Sequence, residues 1–171
     1  MTAAGIGWDV HRFGEDRPLV LGGVTIPHER GLLGHSDADV LVHAIIDALL
    51  GAAALGDIGE HYPDTDPAYA GADSLRLLSD AAHKLGTRGF TVRNVDATVL
   101  MEHPKLAPHR EKIRARIATA LGIAVSQVSV KATRGEGLGF VGREEGVAAL
   151  AIAAVEDRSS EGFAPPSPTR A

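Results

Sequence analysis

The sequence predicts an α+β fold: a mixed four-stranded sheet with helices packed on one face and an extra β-hairpin. Four segments carry strand character and three carry helical periodicity. The two kinds do not alternate as regular βαβ units. A Gly22-Gly23 pair divides the apolar run 19–26 into two halves, as a hairpin requires.

The elements follow in chain order. Residues 5–13 form the first strand and residues 19–26 the hairpin. Pro27 to Gly34 is a loop. Ser36-Asp37-Ala38-Asp39 starts a helix, because Ser and Asp side chains cap free amides, and the helix runs to about Leu55. Residues 56–72 are rich in Gly, Asp and Pro and form a long loop, a kind of segment that is usually functional or disordered. A second helix spans 73–86, a strand 91–102 and a basic helix 107–121. A strand at 127–133, a Gly-rich loop at 134–146 and a last strand at 147–155 complete the order. Residues 1–157 are expected to make one catalytic domain. The polar, Pro-rich residues 158–171 are expected to be a disordered tail without a catalytic part.

Composition removes several classes. The 171 residues, 44% hydrophobic and 23% charged, suit one domain with a sizeable core. Aromatics are 4%, so that core must be built from Ala, Val, Leu and Ile. A formal net charge of −5 argues against a general nucleic-acid binder, which needs clustered Lys and Arg. The chain has no cysteine, which excludes disulfides, thiolate metal sites and a cysteine nucleophile and suits a cytoplasmic location. The N-terminus lacks the basic and apolar stretches of a signal peptide. The longest apolar segment, Val40 to Leu55, is broken by His43, Asp47 and Gly51, so no membrane span is expected.

A metal site is the first chemical reading. Asp9 and His11 are two apart in a strand, so both side chains point to one face. A carboxylate and an imidazole on a shared face are half of a zinc site, and catalytic zinc commonly keeps three protein ligands plus an open position. The first helix is apolar except at Asp39, His43 and Asp47, a stripe at i, i+4 and i+8 that should face solvent or a polar cavity. His43 is the natural third ligand, and Asp47 is placed to orient an imidazole. A D-x-H triplet by itself is weak, and His28, His35, His61, His83, His103 and His109 are other candidates.

Phosphate features lie around it. His35-Ser36 precedes a helix N-terminus, whose free amides favour phosphate, although Ser36 serves equally well as a simple cap. The run His103-Pro104-Lys105-Leu106-Ala107-Pro108 is a stiff turn with backbone groups free for a base, or a plain strand-to-helix connection. Arg110, Lys112, Arg114 and Arg116 beyond it read as a solvated helix face. Thr133-Arg134-Gly135-Glu136-Gly137-Leu138-Gly139 offers a hydroxyl, a guanidinium and exposed amides to phosphates, or is a mobile hairpin. It is no P-loop, because Gly-Lys-Ser/Thr is missing. Glu136 has the oxygen chemistry to hold magnesium.

Taken together, the motifs resemble those of the 2-C-methyl-D-erythritol 2,4-cyclodiphosphate synthases of non-mevalonate isoprenoid biosynthesis. The stretches are Gly7-Trp8-Asp9-Val10-His11, His35 to Val40, His43 through Asp57-Ile58-Gly59, and Tyr62-Pro63-Asp64-Thr65-Asp66-Pro67. Gly71-Ala72-Asp73-Ser74, Pro104-Lys105, Lys131-Ala132-Thr133, Leu138-Gly139-Phe140 and Gly142-Arg143 continue them, so the likeness covers residues 5–156.

The resemblance implies a lyase that cyclises 4-diphosphocytidyl-2-C-methyl-D-erythritol 2-phosphate and releases CMP. It implies Zn2+ on Asp9, His11 and His43, and Mg2+ or Mn2+ at Glu136. It implies His35 and Arg134 as catalytic positions. Substrate binding falls to Asp9, His11, His35, Ser36, Asp57, Ile58, Gly59 and the loop Tyr62, Pro63, Asp64, Thr65 and Asp66. Met101, Pro104, Lys105, Leu106 and Ala107 take the cytidine. Thr133, Arg134, Gly135 and Glu136 take the diphosphate, and Phe140 and Arg143 line the surrounding cavity. The implied assembly is a homotrimer with active sites between subunits. Arg134 and Gly135 depart from the hydroxyl residues common there, and Trp8 from the commoner Phe. The residues by themselves leave open a zinc-dependent nucleotide-diphosphate phosphohydrolase or a non-catalytic isoprenoid-diphosphate-binding trimer.

Overall fold

The computed structural model describes residues 1–158. Apart from Arg158, the tail expected at 158–171 lies outside the described residues. The fold is α+β, but its main sheet has five strands, in the order β4-β1-β7-β5-β6. β1 is Thr2–Gly14, β4 Gly31–Leu32, β5 Phe90–Leu100, β6 Val128–Thr133 and β7 Gly146–Asp157. β7 runs antiparallel to both β1 and β5, while β5 and β6 are parallel, so the sheet is mixed. The unexpected strand, β4, lies in the segment read as a loop and pairs Phe13 with Leu32 and Gly14 with Gly31. Two residues are too few to show a period-2 pattern, so nothing marked it in the sequence.

The hairpin forms as expected from β2 (Leu19–Leu21) and β3 (Val24–Ile26). Gly22 and Gly23 both take positive φ, 59° and 69°, which a two-residue turn matching the strand twist demands.

Helices cover one face of the sheet. They are α1 (Val40–Ala52), α3 (Ser74–Thr87) and α4 (Arg110–Leu121), with single-turn α2 (Ile58–His61) and α5 (Gly139–Gly142) inside the two predicted loops. α1 packs on β1 and β7, α3 on α1, and α4 on α3 and β6. Odd-numbered residues of β7, Ala149, Ala151, Ala153 and Val155, point into this layer and are buried. The core is aliphatic as composition required: its largest fully buried side chains are Leu and Ile.

One close approach places the site. A Cβ on Gly7 would lie 1.9 Å from the Ala44 carbonyl oxygen, and one on Gly5 2.2 Å from that of Ala48. β1 therefore offers α1 a bare backbone groove, and the helix sinks onto the strand that carries Asp9 and His11. The opposite sheet face leaves Ile6, Trp8, Val10, Leu150 and Ile152 exposed, with Ile6 opposite Ile152 and Trp8 opposite Leu150. Among the described residues no helix is long and apolar enough to cross a membrane.

Candidate active site

α1 is apolar on almost every side. Its only residues not buried are His43, Asp47 and Gly51, spaced four apart and so on one stripe. That stripe meets the inward face of β1. His43 Nδ1 lies 3.0 Å from Asp9 Oδ2 and 3.2 Å from His11 Nε2, and His11 Nε2 lies 3.0 Å from the same Asp9 oxygen. This trio is the one group of such ligands, among the described residues, with the spacing to hold a metal ion.

Proton placement supports a cation at its centre. His11 Nδ1 faces the Leu33 carbonyl at 2.9 Å and must donate to it, which leaves the Nε2 lone pair on the cluster. Asp37 takes the Ser74 hydroxyl proton, so Ser74 accepts from His43 Nε2 at 3.0 Å; Ser36 Oγ is a second acceptor at 3.1 Å. The His43 Nδ1 lone pair then also faces the cluster. Three lone pairs converge at separations close to the edge of a tetrahedron with metal–ligand bonds of about 2.0–2.1 Å. Without a cation, protons answer the crowding. Burial alone would raise the Asp9 carboxyl, but hydrogen bonds and charge from His11 and His43 outweigh it and hold it well below the usual carboxylate range. Burial pulls the His11 imidazole down, yet Asp9 outweighs it and pushes it up. The trio fits a divalent cation.

The cleft over this trio has a volume of ≈ 440 Å³ and is lined by Asp9, His11, Gly34, His35, Ser36, His43, Asp47, Ile58, Gly59, Tyr62, Pro63 and Asp64, with Tyr69 and Leu77. His35 is exposed in it and donates from Nε2 to the Asp66 carbonyl at 3.2 Å. Asp57 caps α2 through the Glu60 amide, and Asp66 caps a short 3-10 turn through the Ala68 amide. Asp57, Thr65 and Asp66 are not among the lining residues. The Tyr62 hydroxyl is committed to Asp80, 2.8 Å away. Burial, with Asp80 adding, pushes that phenol up.

Three expectations change. Asp47 orients no imidazole; its carboxylate accepts the Ile58 amide at 2.8 Å and so ties α1 to α2. Burial lifts the Asp47 carboxyl. Ser36 does not cap α1, because Asp39 does, through the Val42 amide. Asp39 faces neither solvent nor a cavity but is fully buried, also accepting the Gly23 amide at 2.7 Å. Sequence reasoning missed Ser74 and Asp37, which complete the relay behind His43. The signal was an Asp-Ser pair at a helix start, indistinguishable from ordinary capping.

A second cleft, of ≈ 230 Å³, is lined by Met101, Glu102, Pro104, Lys105, Leu106, Ala107, Arg110, Ala132, Thr133 and Arg134. It shares no residue with the first. Asp9, Ala149, Val99 and Ala132 form one row across β1, β7, β5 and β6, so both clefts open near the same end of the sheet. Two strand spacings, about 10 Å, separate β1 from β5. Glu102 accepts the Gly135 amide at 2.9 Å and anchors the Gly-rich loop here. Arg134 pairs with exposed Glu136 at 3.2 Å, and Arg143 with Glu145 at 2.7 Å. Phe140 is half-buried in α5, and neither it nor Arg143 lines either cleft. Within one chain, Glu136 does not join the Asp9, His11 and His43 trio. The basic run is not one solvated face: Arg114 donates to the Val128 and Val125 carbonyls, and Arg110 lines this second cleft.

Comparison with known proteins gives a consistent result. The YgbB family model matches residues 2–156. A 2-C-methyl-D-erythritol 2,4-cyclodiphosphate synthase of Alkaliphilus metalliredigens is 60% identical over 151 residues, which is 88% of this chain and 95% of its own length. Among solved structures, the bifunctional IspDF of Campylobacter jejuni aligns with a TM-score of 0.88 at 46% identity over 91% of this chain, which spans 42% of that larger protein. An IspF–CDP complex of Plasmodium falciparum aligns at 0.79 with 32% identity, covering 91% and 96% of the two chains.

Proposed function

The chain belongs to the YgbB family, and from that premise we propose how its residues divide the work. The activity is that of a 2-C-methyl-D-erythritol 2,4-cyclodiphosphate synthase, a phosphorus–oxygen lyase of isoprenoid biosynthesis. It cyclises 4-diphosphocytidyl-2-C-methyl-D-erythritol 2-phosphate and releases CMP. An oxygen of the 2-phosphate bonds to the β-phosphorus; the bond from that phosphorus to the bridging oxygen breaks, and CMP leaves with that oxygen. The observation that carries the assignment is the convergent trio of Asp9, His11 and His43 in a chain that matches the family across residues 2–156.

The nucleophile is already an anion, so the residues need supply no strong base. They must hold two anionic groups in line against their repulsion. Asp9, His11 and His43 would hold zinc, which supplies Lewis-acid stabilisation of charge on the β-phosphate. Glu136 gives one carboxylate, the sparse donor set that magnesium or manganese accepts when substrate phosphates complete its shell. His35, exposed in the metal cleft, and Arg134 in the second cleft donate to phosphate oxygens. Ser36, Asp57 to Gly59 and Tyr62 to Asp66 take the erythritol part. Met101 to Ala107 take the cytidine, and Thr133 to Glu136 the diphosphate. Residues 1–157 act as one catalytic domain, and the cytoplasm, where a charged nucleotide substrate stays confined, is the location.

The working unit is a homotrimer in which one chain's metal cleft meets its neighbour's cytidine cleft. Two features support it. The clefts share no residue within a chain, and the outer sheet face carries an exposed apolar patch of the kind that marks association. Phosphorus NMR after incubation with substrate, zinc and magnesium tests the reaction: CMP with a cyclic diphosphate is expected, and an open-chain monophosphate would overturn it. Mixed oligomers of His43→Ala and Lys105→Ala test the assembly. Shared sites restore low-KM turnover that neither variant has alone, whereas sites within single chains restore none.

A further inference from the structure

We propose that Arg17 is a positioning residue of this site: its guanidinium locks the Leu33–Ser36 segment, which orients both metal-facing histidines and presents His35. Arg17 lines neither cleft and stands apart from every motif above. Its Nη1 donates to the Gly34 carbonyl at 2.8 Å and its Nη2 to the Ser36 carbonyl at 2.7 Å.

Every carbonyl of this segment is engaged. The Leu33 carbonyl accepts from His11 Nδ1, and the His35 carbonyl accepts the Gly71 amide at 2.8 Å. With Arg17 on the carbonyls of Gly34 and Ser36, four consecutive carbonyls are held. Each bond fixes something the chemistry uses. Leu33 sets the tautomer and tilt of His11, the Ser36 hydroxyl accepts from His43, and His35 stands between the two carbonyls that Arg17 grips. A loop of this kind, without a strand ladder, would otherwise leave those carbonyls to water and its side chains to several rotamers. Two carbonyls on either side of one residue need a fork of two donors. Arginine has that fork, and lysine, a point donor, does not. Partners that orient metal ligands typically carry a 10–100-fold effect on metal affinity or activity.

The proposal rests on the metal and His35 assignments above, so wild type is measured beside Arg17→Met and Arg17→Lys. Zinc affinity by chelator competition, kcat, KM and Tm are read for each. For Arg17→Met, kcat falls about 10–100-fold and zinc binds about tenfold more weakly, while KM moves little. Arg17→Lys recovers part of both losses. A merely structural role would lower Tm and leave kcat and zinc affinity untouched at a temperature where the variant is folded; that result overturns the proposal. If Arg17→Met does not fold, Arg17→Lys decides, and wild-type values for its kcat and zinc affinity reject the role. Failure of wild type to bind zinc would instead reject the metal assignment, and the grip on His35 would then be judged by kcat alone.

Discussion

In the metal cleft, the atoms that face the ligands are all engaged. His11 is held by Leu33, His43 by Ser36 and Ser74, Ser74 by Asp37, and the loop carbonyls by Arg17 and Gly71. In the second cleft they are not. Among the described residues, the Nε of Arg110 is buried with no hydrogen-bond partner, Lys105 is exposed, and the only ion pair of Arg134 is with Glu136. The first cleft sits on a strand and a buried helix; the second is a stiff turn beside a Gly-rich loop. The difference teaches where preorganisation is stored. A centre that must hold several lone pairs against their repulsion is braced by its own chain. The cleft proposed for the cytidine and diphosphate leaves its donors free for a ligand to engage.

The strongest way to break this contrast is His43→Ala. It removes one of three ligands but leaves a helix whose other side chains carry the packing, so the fold persists. Several kcal/mol of charge stabilisation vanish, and cyclisation falls about 10³-fold or more with loss of bound zinc, measured by product assay and metal analysis. Wild-type turnover without metal would refute the centre.

Gly7→Val tests whether the brace is the bare strand. Its Cβ would meet the Ala44 oxygen at 1.9 Å and the Ala48 nitrogen at 2.7 Å, both backbone atoms that cannot rotate away. α1 must shift, at a cost of about 1–3 kcal/mol or more, and His43 with it. Tm and zinc affinity should fall together. Loss of Tm with unchanged zinc affinity would show that the close approach does not place the ligand.

Lys105→Ala probes the looser cleft. A charged hydrogen bond worth about 1.5–3 kcal/mol predicts a KM increase of about tenfold or somewhat more. Zinc affinity and Tm should not change, because Lys105 lines the second cleft and not the metal cleft. Coupled changes would mean that the two clefts are one rigid unit.

The smallest effect sharpens the cost of rigidity. Burial pushes the Asp39 carboxyl up to about 6; Asp37 adds to this, while amides such as that of Gly23 oppose it. The folded chain keeps that proton where the unfolded chain, with a pKa near 3.9, has released it. Stability from this group is therefore greatest below about pH 4, declines as the pH rises to about 6, and is flat above. Asp39→Asn removes the slope while keeping an N-cap acceptor. Its Tm relative to wild type should be about 2–6 °C more favourable at pH 7 than at pH 4.5.

Much of this molecule was legible in order. Period-2 spacing put Asp9 and His11 on one face of β1, and a polar stripe of Asp39, His43 and Asp47 on an apolar helix pointed to His43, although Asp39 proved fully buried. The Gly22-Gly23 turn was read to the residue. These are local consequences of backbone period and turn chemistry, and every chain with these residues obeys them. What the sequence could not state is which partners those side chains would choose. Asp47 and Ser36 were given each other's kind of task, since a helix-facing carboxylate and a hydroxyl before a helix look alike whether they cap, tether or orient. The supports contributed by Arg17, Asp37 and Ser74 lie between 17 and 37 positions along the chain from the groups they hold, beyond any period. β4 was invisible because two residues carry no pattern. By itself the sequence determined the long strands, the three long helices and the choice of Asp9, His11 and His43 as candidate ligands. Only the tertiary structure decided what holds those ligands still, because the bare groove at Gly5 and Gly7 and the carbonyls of a looped segment acquire partners only when distant backbone packs against them.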